Sequence, residues 1–314
     1  MPPLGTGSVA LHMQPGIRAI VGTRLGGRES YYTLMYNVET STRNYEDWLY
    51  ATGLPIATTK PQGQPIQAFD PLEGTYKRLI HETTAMGFEV TEEAWDDDQY
   101  AGNGSAIREA AGGLADSLAE KCELDSHRPF NTEGFTAGVG APFQVLPAGD
   151  NEAFFSTAHA IVTGGQGIPQ ANRPSTNTDL NITSLRTCLT QFRRYRDDQN
   201  KRVPGINQPT ALIVPPELEF VMKELLGSSN RPDTANLVEN VTKGVVTGYV
   251  NPYLDDTDSW FVKASKHYAV FLWRWRPRLD SFDDRRSRVA VHVAYQRYSY
   301  GPITWMGYYG SNGA

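Results

Sequence analysis

Residues 208–264 read QPTALIVPPELEFVMKELLGSSNRPDTANLVENVTKGVVTGYVNPYLDDTDSWFVKA, and this stretch decides the fold. An apolar run at 210–214 precedes two prolines, and an amphipathic segment follows at 216–226. After a polar loop, two further strand-like runs at 244–251 and 260–264 flank an acidic turn. This pattern predicts a strand, a helix and two strands, in that order. The stretch contains no phosphate loop or metal cluster, so it predicts architecture and not chemistry.

Helix and strand patterns continue on both sides of this stretch. Upstream, residues 182–196 have the period of a helix that begins near residues 181–183. Downstream, three strand-like runs lie at 268–274, 288–297 and 303–309, and the last two alternate in polarity. Such alternation is typical of a half-buried antiparallel sheet. We therefore predict an α+β fold.

A long helix is predicted over residues 97–124, with Thr91 and the two glutamates behind it as its start signal. The alternative is a break near Asn103 and Gly104, after which the helical period continues. Its apolar residues form one stripe at helical spacing, comprising Ile107, Ala111, Leu114, Leu118 and Cys122. Gly112 and Gly113 lie inside the helix, where each costs about 1 kcal/mol relative to alanine. That cost predicts close backbone packing or a bend at this point.

The first 45 residues are rich in small polar residues, with apolar residues at irregular spacing. They form either a poorly ordered terminus or an extended arm that lies on neighbouring subunits. The apolar and aromatic residues Tyr31, Tyr32 and Met35 offer more anchoring than a free tail needs. We therefore favour the arm and predict that these three residues contact a neighbouring subunit.

Residues 55–90 contain four prolines yet have two strand-like pieces, at 66–69 and 75–84, around a turn at 70–74. Few of the side chains are apolar enough to build a core, and an isolated two-stranded ribbon is marginal in water. We therefore predict a long hairpin that a partner subunit supports, with an active-site lid as the alternative. The candidate contacts are Ile66, Phe69, Tyr76 and Leu79.

The composition is that of an ordinary globular protein, with 314 residues, 39% hydrophobic and 20% charged. This length suits one large domain or two modest ones. The formal charge of -6 argues against a surface built to bind nucleic acid. A container for DNA is a different case, because a mildly acidic inner wall repels phosphate and leaves DNA free to move.

The chain has two cysteines, Cys122 and Cys188, too few for a disulfide framework. Both lie in helical patterns, which indicates reduced core thiols and a reducing compartment. Residues 1–22 lack the pattern of a signal peptide, and no apolar run approaches 18 residues. We expect a soluble cytosolic product.

Candidate catalytic residues are few. Ser156 and His159 are close in sequence, which permits a hydrolase, but no nucleophile elbow surrounds the serine. The histidines and cysteines lack metal-ligand spacing. The basic run at 193–196 is either a solvated helix end or a subunit contact. We predict no catalytic, cofactor or metal site, and therefore not an enzyme.

Five pieces of the sequence resemble, in order, the major capsid proteins of tailed bacteriophages, in particular the Mu-like major head subunit group. They are MGFEVTEEAWDDDQY (86–100), DNEAFFSTAHA (150–160), PTALIVPPELEFVMKELL (209–226), VVTGYVNPYLDDTDSWFVKA (245–264) and AYQRYSYGPITWMGYYG (294–310). Each piece alone has low specificity, but the collinear set covers most of residues 85–310.

The resemblance implies the Johnson fold of tailed-phage capsid proteins. Its parts would be an N-terminal arm (1–52), an extended hairpin loop (53–90), a peripheral domain with a long spine helix (91–142), an axial domain (143–275) and the C-terminal strands of the peripheral domain (276–314). The implied function is self-assembly into pentamers and hexamers that form an icosahedral shell around double-stranded DNA, without sequence-specific binding.

The implied location is the virion, after assembly in the cytoplasm of the host bacterium. The implied partners are other copies of the chain, a portal and a scaffolding protein that is separate or removed before this chain begins. A decoration protein is a further option, and no membrane is involved. Two alternatives stay open here, an encapsulin-like cellular compartment with the same fold and, remotely, the hydrolase.

Overall fold

The computed structural model describes residues 9–51, 53–72, 74, 76–97, 106–136, 152–161, 165, 167–230, 239–284 and 288–314. In chain order the helices are α1 (Val9–Gly27), α2 (Tyr32–Met35), α3 (Glu92–Asp96), α4 (Ala106–His127), α5 (Ile182–Arg194) and α6 (Glu219–Gly227). The strands are β1 (Asn37–Thr40), β2 (Tyr45–Leu49), β3 (Tyr76–Ile80), β4 (Glu82–Thr91), β5 (Pro209–Val214), β6 (Thr247–Val250), β7 (Trp260–Ala264), β8 (Ala269–Asp284), β9 (Val289–Pro302) and β10 (Tyr308–Ser311).

Two four-stranded sheets organise the subunit. The first, which we call the peripheral sheet, has the order β1-β8-β9-β4. Within it β1 is parallel to β8, whereas β8 with β9 and β9 with β4 are antiparallel. The second, which we call the axial sheet, has the order β10-β7-β5-β6, with β5 parallel to β6. The element types confirm the predicted α+β class.

The long helix α4 packs on the peripheral sheet through its apolar stripe. One core cluster joins this helix to the sheet and to α1, and its buried members are Ile17, Val21, Val90, Ala111, Leu114, Ala115, Leu118, Leu279, Ala290 and Ala294. Gly112 faces the Arg24 side chain of α1, which a Cβ would approach within 3.4 Å. The glycine predicted to allow close packing therefore lies where α1 crosses α4.

The start of the long helix differs from the sequence prediction. Thr91 does cap a helix, because its Oγ1 accepts a hydrogen bond from the Ala94 backbone N–H at 3.1 Å. That helix is the short α3, however, and α4 begins only at Ala106. Residues 98–105, where the predicted helix would continue or break near Asn103 and Gly104, lie outside the described residues.

The N-terminal arm is helical where it was expected to be extended. Residues Val9–Gly27 form α1, whose Ile17 and Val21 are 4% and 6% exposed against α4. Pro15 and several glycines made this segment a poor helix candidate, because both residue types disfavour helix interiors. Packing of one apolar face on α4 supplies the stability that local propensity does not.

The hairpin loop also differs from its predicted form. Its strands are β2 and β3, which pair antiparallel from Tyr45 with Ile80 to Leu49 with Tyr76. Residues 66–69, expected to be a strand, are irregular, and the second predicted strand is split between β3 and β4. Between the two strands, Gly53 and Leu72 form one further bridge.

The axial elements follow the prediction closely. Helix α5 starts at a capping box in which the Asn181 side chain accepts from the backbone N–H groups of Thr183 and Ser184. The predicted strand at 260–264 is β7. The last strand departs from the expected layout, in which residues 276–314 are strands of the peripheral domain, because β10 pairs with β7 of the axial sheet.

Candidate inter-subunit surfaces

The hairpin of β2 and β3 forms a stalk. Arg78 on β3 donates two hydrogen bonds to the Asp47 carboxylate on β2, at 2.7 and 3.0 Å. These bonds hold the pKa of Asp47 below its ordinary value. The guanidinium carbon also lies 4.0 Å from the centre of the Tyr45 ring, in a cation–π contact. The two interactions fix the register of the strands on the outer side of the stalk.

The inner side of the stalk is part of the subunit core. Leu79 is fully buried and packs with Val270, Leu272 and Ile303. The neighbouring Lys77 is 1% exposed, and its Nζ donates to the Pro302 carbonyl at 2.7 Å. Burial lowers the pKa of this lysine to about 7, because a charged ammonium loses its hydration there. Leu79 therefore stabilises its own subunit and does not face a neighbour in this conformation.

The segment beyond the stalk, residues 54–71, exposes its apolar side chains. Ile66 is 81% exposed, Leu54 and Ile56 are each more than half exposed, and Phe69 is 37% exposed. Tyr76 on the stalk is 51% exposed. Single exposed apolar residues are common, but several within one short segment indicate an interaction surface. Of the four residues that we predicted here, Ile66, Phe69 and Tyr76 are thus placed where a neighbour could reach them.

The N-terminal candidates are mostly internal. Tyr32 is 8% exposed, and its ring centre lies 4.5 Å from that of Phe271 on β8. Met35 is fully buried, and its carbonyl accepts a hydrogen bond from the Tyr308 hydroxyl. Tyr31 is half-buried, with its ring centre 5.7 Å from that of Tyr253. Tyr32 and Met35 do anchor the N-terminal segment, as their apolar and aromatic side chains suggested, but they anchor it to its own subunit.

A buried carboxylate completes this anchor. Glu123 on α4 is 2% exposed, and its two oxygens accept from the backbone N–H groups of Tyr31 and Tyr32, at 3.0 and 2.9 Å. Burial raises the pKa of Glu123 to about 7. One turn along, His127 Nδ1 donates to the Glu123 carbonyl at 2.7 Å, and its Nε2 accepts from the Asn251 side chain at 2.8 Å. This bonding pattern requires a neutral imidazole, in agreement with a pKa that burial lowers to about 4.

The residues considered for hydrolysis have structural partners. His159 is 1% exposed, its Nε2 lies 3.0 Å from Asn172 Oδ1, and its ring stacks on that of Trp305 with centres 4.7 Å apart. The Ser156 hydroxyl donates to Glu152 at 3.3 Å and accepts from the Ala158 backbone N–H at 3.2 Å. These contacts join a loop to the axial sheet and account for the polar atoms without any reaction.

The described residues hold neither a cluster of metal ligands nor a membrane-spanning helix. No group of three or more histidine, cysteine or acidic side chains within the described ranges is arranged to hold a metal ion. None of the helices in those ranges combines the length and the apolar character needed to cross a bilayer. Cys122 and Cys188 are both buried free thiols, as the sequence predicted.

Two exposed surfaces near the axial sheet were not predicted as contacts. One lies around α6 and β6, where Phe220 is 72% exposed and Val241 and Tyr249 are exposed as well. The other is a groove that includes Arg194 and Arg202. The basic run at 193–196 was a sequence signal for the groove, whereas Phe220 reads as an ordinary core residue of an amphipathic helix.

Residues 80–310 match the family model described as phage capsid protein. The chain belongs to this family. The match spans the axial sheet and three of the four strands of the peripheral sheet, and it leaves out β1. It favours a viral shell protein over an encapsulin-like compartment. The comparisons do not distinguish the Mu-like subgroup, which stays a prediction.

Solved structures of phage proteins have the same fold as this capsid protein. A structure from Microbacterium phage Oxtober96 is 12% identical, with a TM-score of 0.55, and the match covers 91% of this chain and 92% of that one. The capsid structure of the cyanophage P-SCSP1u is 8% identical, with a TM-score of 0.56 and coverage of 91% and 89%. A structure from Mycobacterium phage Che8 is 13% identical, with a TM-score of 0.54 and coverage of 91% and 93%. No protein with a curated description matches this sequence significantly.

The family membership confirms the predicted capsid fold and the function of a major capsid protein in an icosahedral shell. It places the protein in the virion capsid as a self-assembling structural component. A phage capsid protein is a structural protein, and this family membership implies that the chain is not an enzyme.

Proposed function

We propose that this capsid protein forms pentamers and hexamers that enclose double-stranded DNA, and that the exposed segment 54–71 locks neighbouring subunits together. The observation that carries the proposal is the contrast between the two ends of the hairpin. Leu79 and Lys77 fix the stalk in the subunit core, whereas Ile66 and its apolar neighbours have no comparable cover.

The energetic argument follows from exposed area. Burial of a side chain such as isoleucine or phenylalanine contributes about 1.5–3 kcal/mol. A free subunit gains only part of this from Ile66, Leu54 and Ile56, which are all more than half exposed. In a shell each subunit would both give such a segment and receive one, so that the contact is repeated at every interface.

The proposal also includes partners that act around the shell. A scaffolding protein would set its curvature, a portal would occupy one vertex, and a decoration protein would bind outside. The net charge of -6 supports packaging of DNA without sequence-specific binding, because an acidic wall does not hold the phosphate backbone. Assembly would occur in the cytoplasm of the host bacterium.

The experiment replaces the locking side chains and leaves the stalk intact. Ile66→Ser combined with Phe69→Ser should give folded subunits that form few or no stable shells, as seen by negative-stain microscopy and by protection of packaged DNA from nuclease. Gln62→Ser combined with Gln64→Ser is the matched control in the same segment, and it should assemble normally. Deletion of the whole hairpin is a poorer test, since it removes Leu79 from the core.

Two results would contradict the proposal. Nuclease-resistant shells from the Ile66 and Phe69 variant, in normal yield, would show that the segment is dispensable for locking. A wild-type protein that stays monomeric with scaffold present would contradict assembly itself.

A further inference from the structure

A basic groove, which we call the arginine groove, lies at one edge of the axial sheet. It is lined by Ile168, Gln191, Arg194, Arg196 and Arg202, among others. Arg194 and Arg202 are exposed, and neither has an ion-pair partner among the described residues. Ile168 is 70% exposed beside them. The groove therefore offers positive charge together with an apolar contact.

Hydrogen bonds between its two segments hold the groove in place. The Arg196 backbone N–H donates to Gln170 Oε1 at 3.0 Å, and Gln170 Nε2 donates to the Arg196 carbonyl at 2.7 Å. The carboxylate nearest in sequence to Arg194, that of Asp197, is buried and accepts from the backbone N–H groups of Gln199 and Lys201. Asp198, which is nearer in sequence to Arg202, is buried as well. The charge of the exposed arginines is thus directed away from the subunit.

A second surface of the axial domain has the opposite character. We call it the α6 surface, and it comprises Glu217, Phe220, Glu224, Val241 and Tyr249, all of them exposed. Phe220 is its most exposed apolar residue. Glu219 nearby is paired with Lys223, but Glu217 and Glu224 have no ion-pair partner among the residues that the structure describes.

The two surfaces belong to opposite edges of the axial sheet. Helix α6 lies on the edge strand β6, where the Met222 side chain packs so closely on Gly248 that a Cβ there would lie 2.5 Å from its sulfur. The arginine groove follows α5, whose Phe192 packs near Tyr309 of the other edge strand, β10, with ring centres 6.5 Å apart. Three strand spacings, about 14 Å, separate the edges.

A closed ring of identical subunits needs a heterologous contact, in which two different surfaces of one chain complement each other. The arginine groove and the α6 surface meet this requirement, because they carry opposite charges, each has an exposed apolar side chain, and they lie at opposite edges of the axial sheet. We propose that the α6 surface of one subunit docks in the arginine groove of the next copy around each pentamer or hexamer. This inference rests on the proposed assembly into rings and adds the surfaces that form them.

Reversal of charge tests the pairing. Arg194→Glu combined with Arg202→Glu should weaken ring formation at least tenfold, and Glu217→Arg combined with Glu224→Arg should do the same. Combination of all four changes should restore it, because the charges are again opposite. Mass photometry over a concentration series measures rings against monomers, and circular dichroism confirms that each variant is folded. Ring formation by the wild type should also weaken as salt rises, since exposed charge pairs are screened.

The outcomes separate this inference from the proposal on which it rests. Failure of the wild type to form rings would contradict the assembly proposal. Wild-type rings together with single-surface variants that assemble equally well would overturn the pairing alone. The pairing would also be overturned if both double variants form rings weakly and the combination of all four changes does not restore ring formation. The two surfaces would then have different partners.

Discussion

At the scale of single residues, Glu123 makes stability depend on pH. Burial raises the pKa of this glutamate from 4.5 to about 7, so the folded protein binds the proton more tightly than the unfolded chain. The stability that Glu123 contributes is therefore complete below pH 4.5 and is lost as the pH rises to about 7. By the linkage between pKa and free energy, the loss is at most about 3 kcal/mol.

We expect Glu123→Gln to remove this dependence. Glutamine has one acceptor oxygen, so one of the N–H groups of Tyr31 and Tyr32 loses its partner, at a cost of about 1 kcal/mol that does not vary with pH. Urea denaturation between pH 4.5 and 7.5 should show wild-type stability falling relative to the variant as the pH rises. His127, whose lowered pKa acts in the opposite direction, is present in both proteins. Parallel curves for the two proteins would refute the assignment.

Residue types alone predicted which residues anchor the N-terminal segment, but not whether they pack on their own subunit or on a neighbour. Tyr32 and Met35 were recognised as anchoring residues, yet a sequence does not show whether an aromatic side chain meets its own subunit or another. Nothing in the sequence predicted the role of Glu123, because a glutamate on a helix is ordinarily exposed. It becomes a buried acceptor only because the folded chain brings the backbone N–H groups of Tyr31 and Tyr32 next to it. Ile66 was predicted as a contact with a neighbouring subunit, and that contact stays a prediction for a side chain that is 81% exposed.

At the scale of elements, the contact between α1 and α4 is the one most open to test. We expect Val21→Asp to detach α1, because a carboxylate would be buried where a 6% exposed valine packs on α4. The lost apolar burial alone costs about 1.5–3 kcal/mol. Limited proteolysis should then cut within residues 9–27 and leave the rest of the chain intact.

The control for this prediction lies on the same helix. Arg18 is exposed, so Arg18→Asp adds the same charge without burying it. Equal cleavage of the two variants would mean that charge or helix propensity, and not the packing of Val21, decides the protease sensitivity of α1.

Elements were predictable where local pattern and final packing agree. The α5 capping box and strand β7 have clear local signals. The second half of strand β8 does not, because register shifts between Trp273 and Arg278 break its alternation and Pro277 lies within them. The proline is tolerated because β1 pairs only with residues 270–273 of β8, which leaves the strand unpaired on that side at Pro277.

At the scale of the whole molecule, the order of the elements from α5 onwards was largely predictable, and sheet membership was not. The alternation in 303–309 predicted a strand, but residues 303–307 form a turn and the strand is β10, Tyr308–Ser311. A period of two also carries no information on which sheet a strand joins. The backbone near Gly307, with φ of 98°, turns the chain from β9 towards β7. That long-range pairing ties the C-terminus to the axial sheet, so the two sheets share one continuous core.

The contrast between this core and the exposed segment predicts two classes of amide exchange. Strands β8 and β9 are paired along most of their length, and their amides should be protected both in free subunits and in shells. Residues 54–71 have few backbone hydrogen bonds of their own, one of them from the Gln64 N–H to the Pro61 carbonyl, and should exchange quickly in free subunits. If neighbours cover this segment, its amides should become protected when the shell forms, and hydrogen–deuterium exchange with mass spectrometry measures both states. Equally fast exchange of residues 54–71 in subunits and in shells would mean that the segment stays uncovered, and the locking contact would then have to lie elsewhere on the subunit.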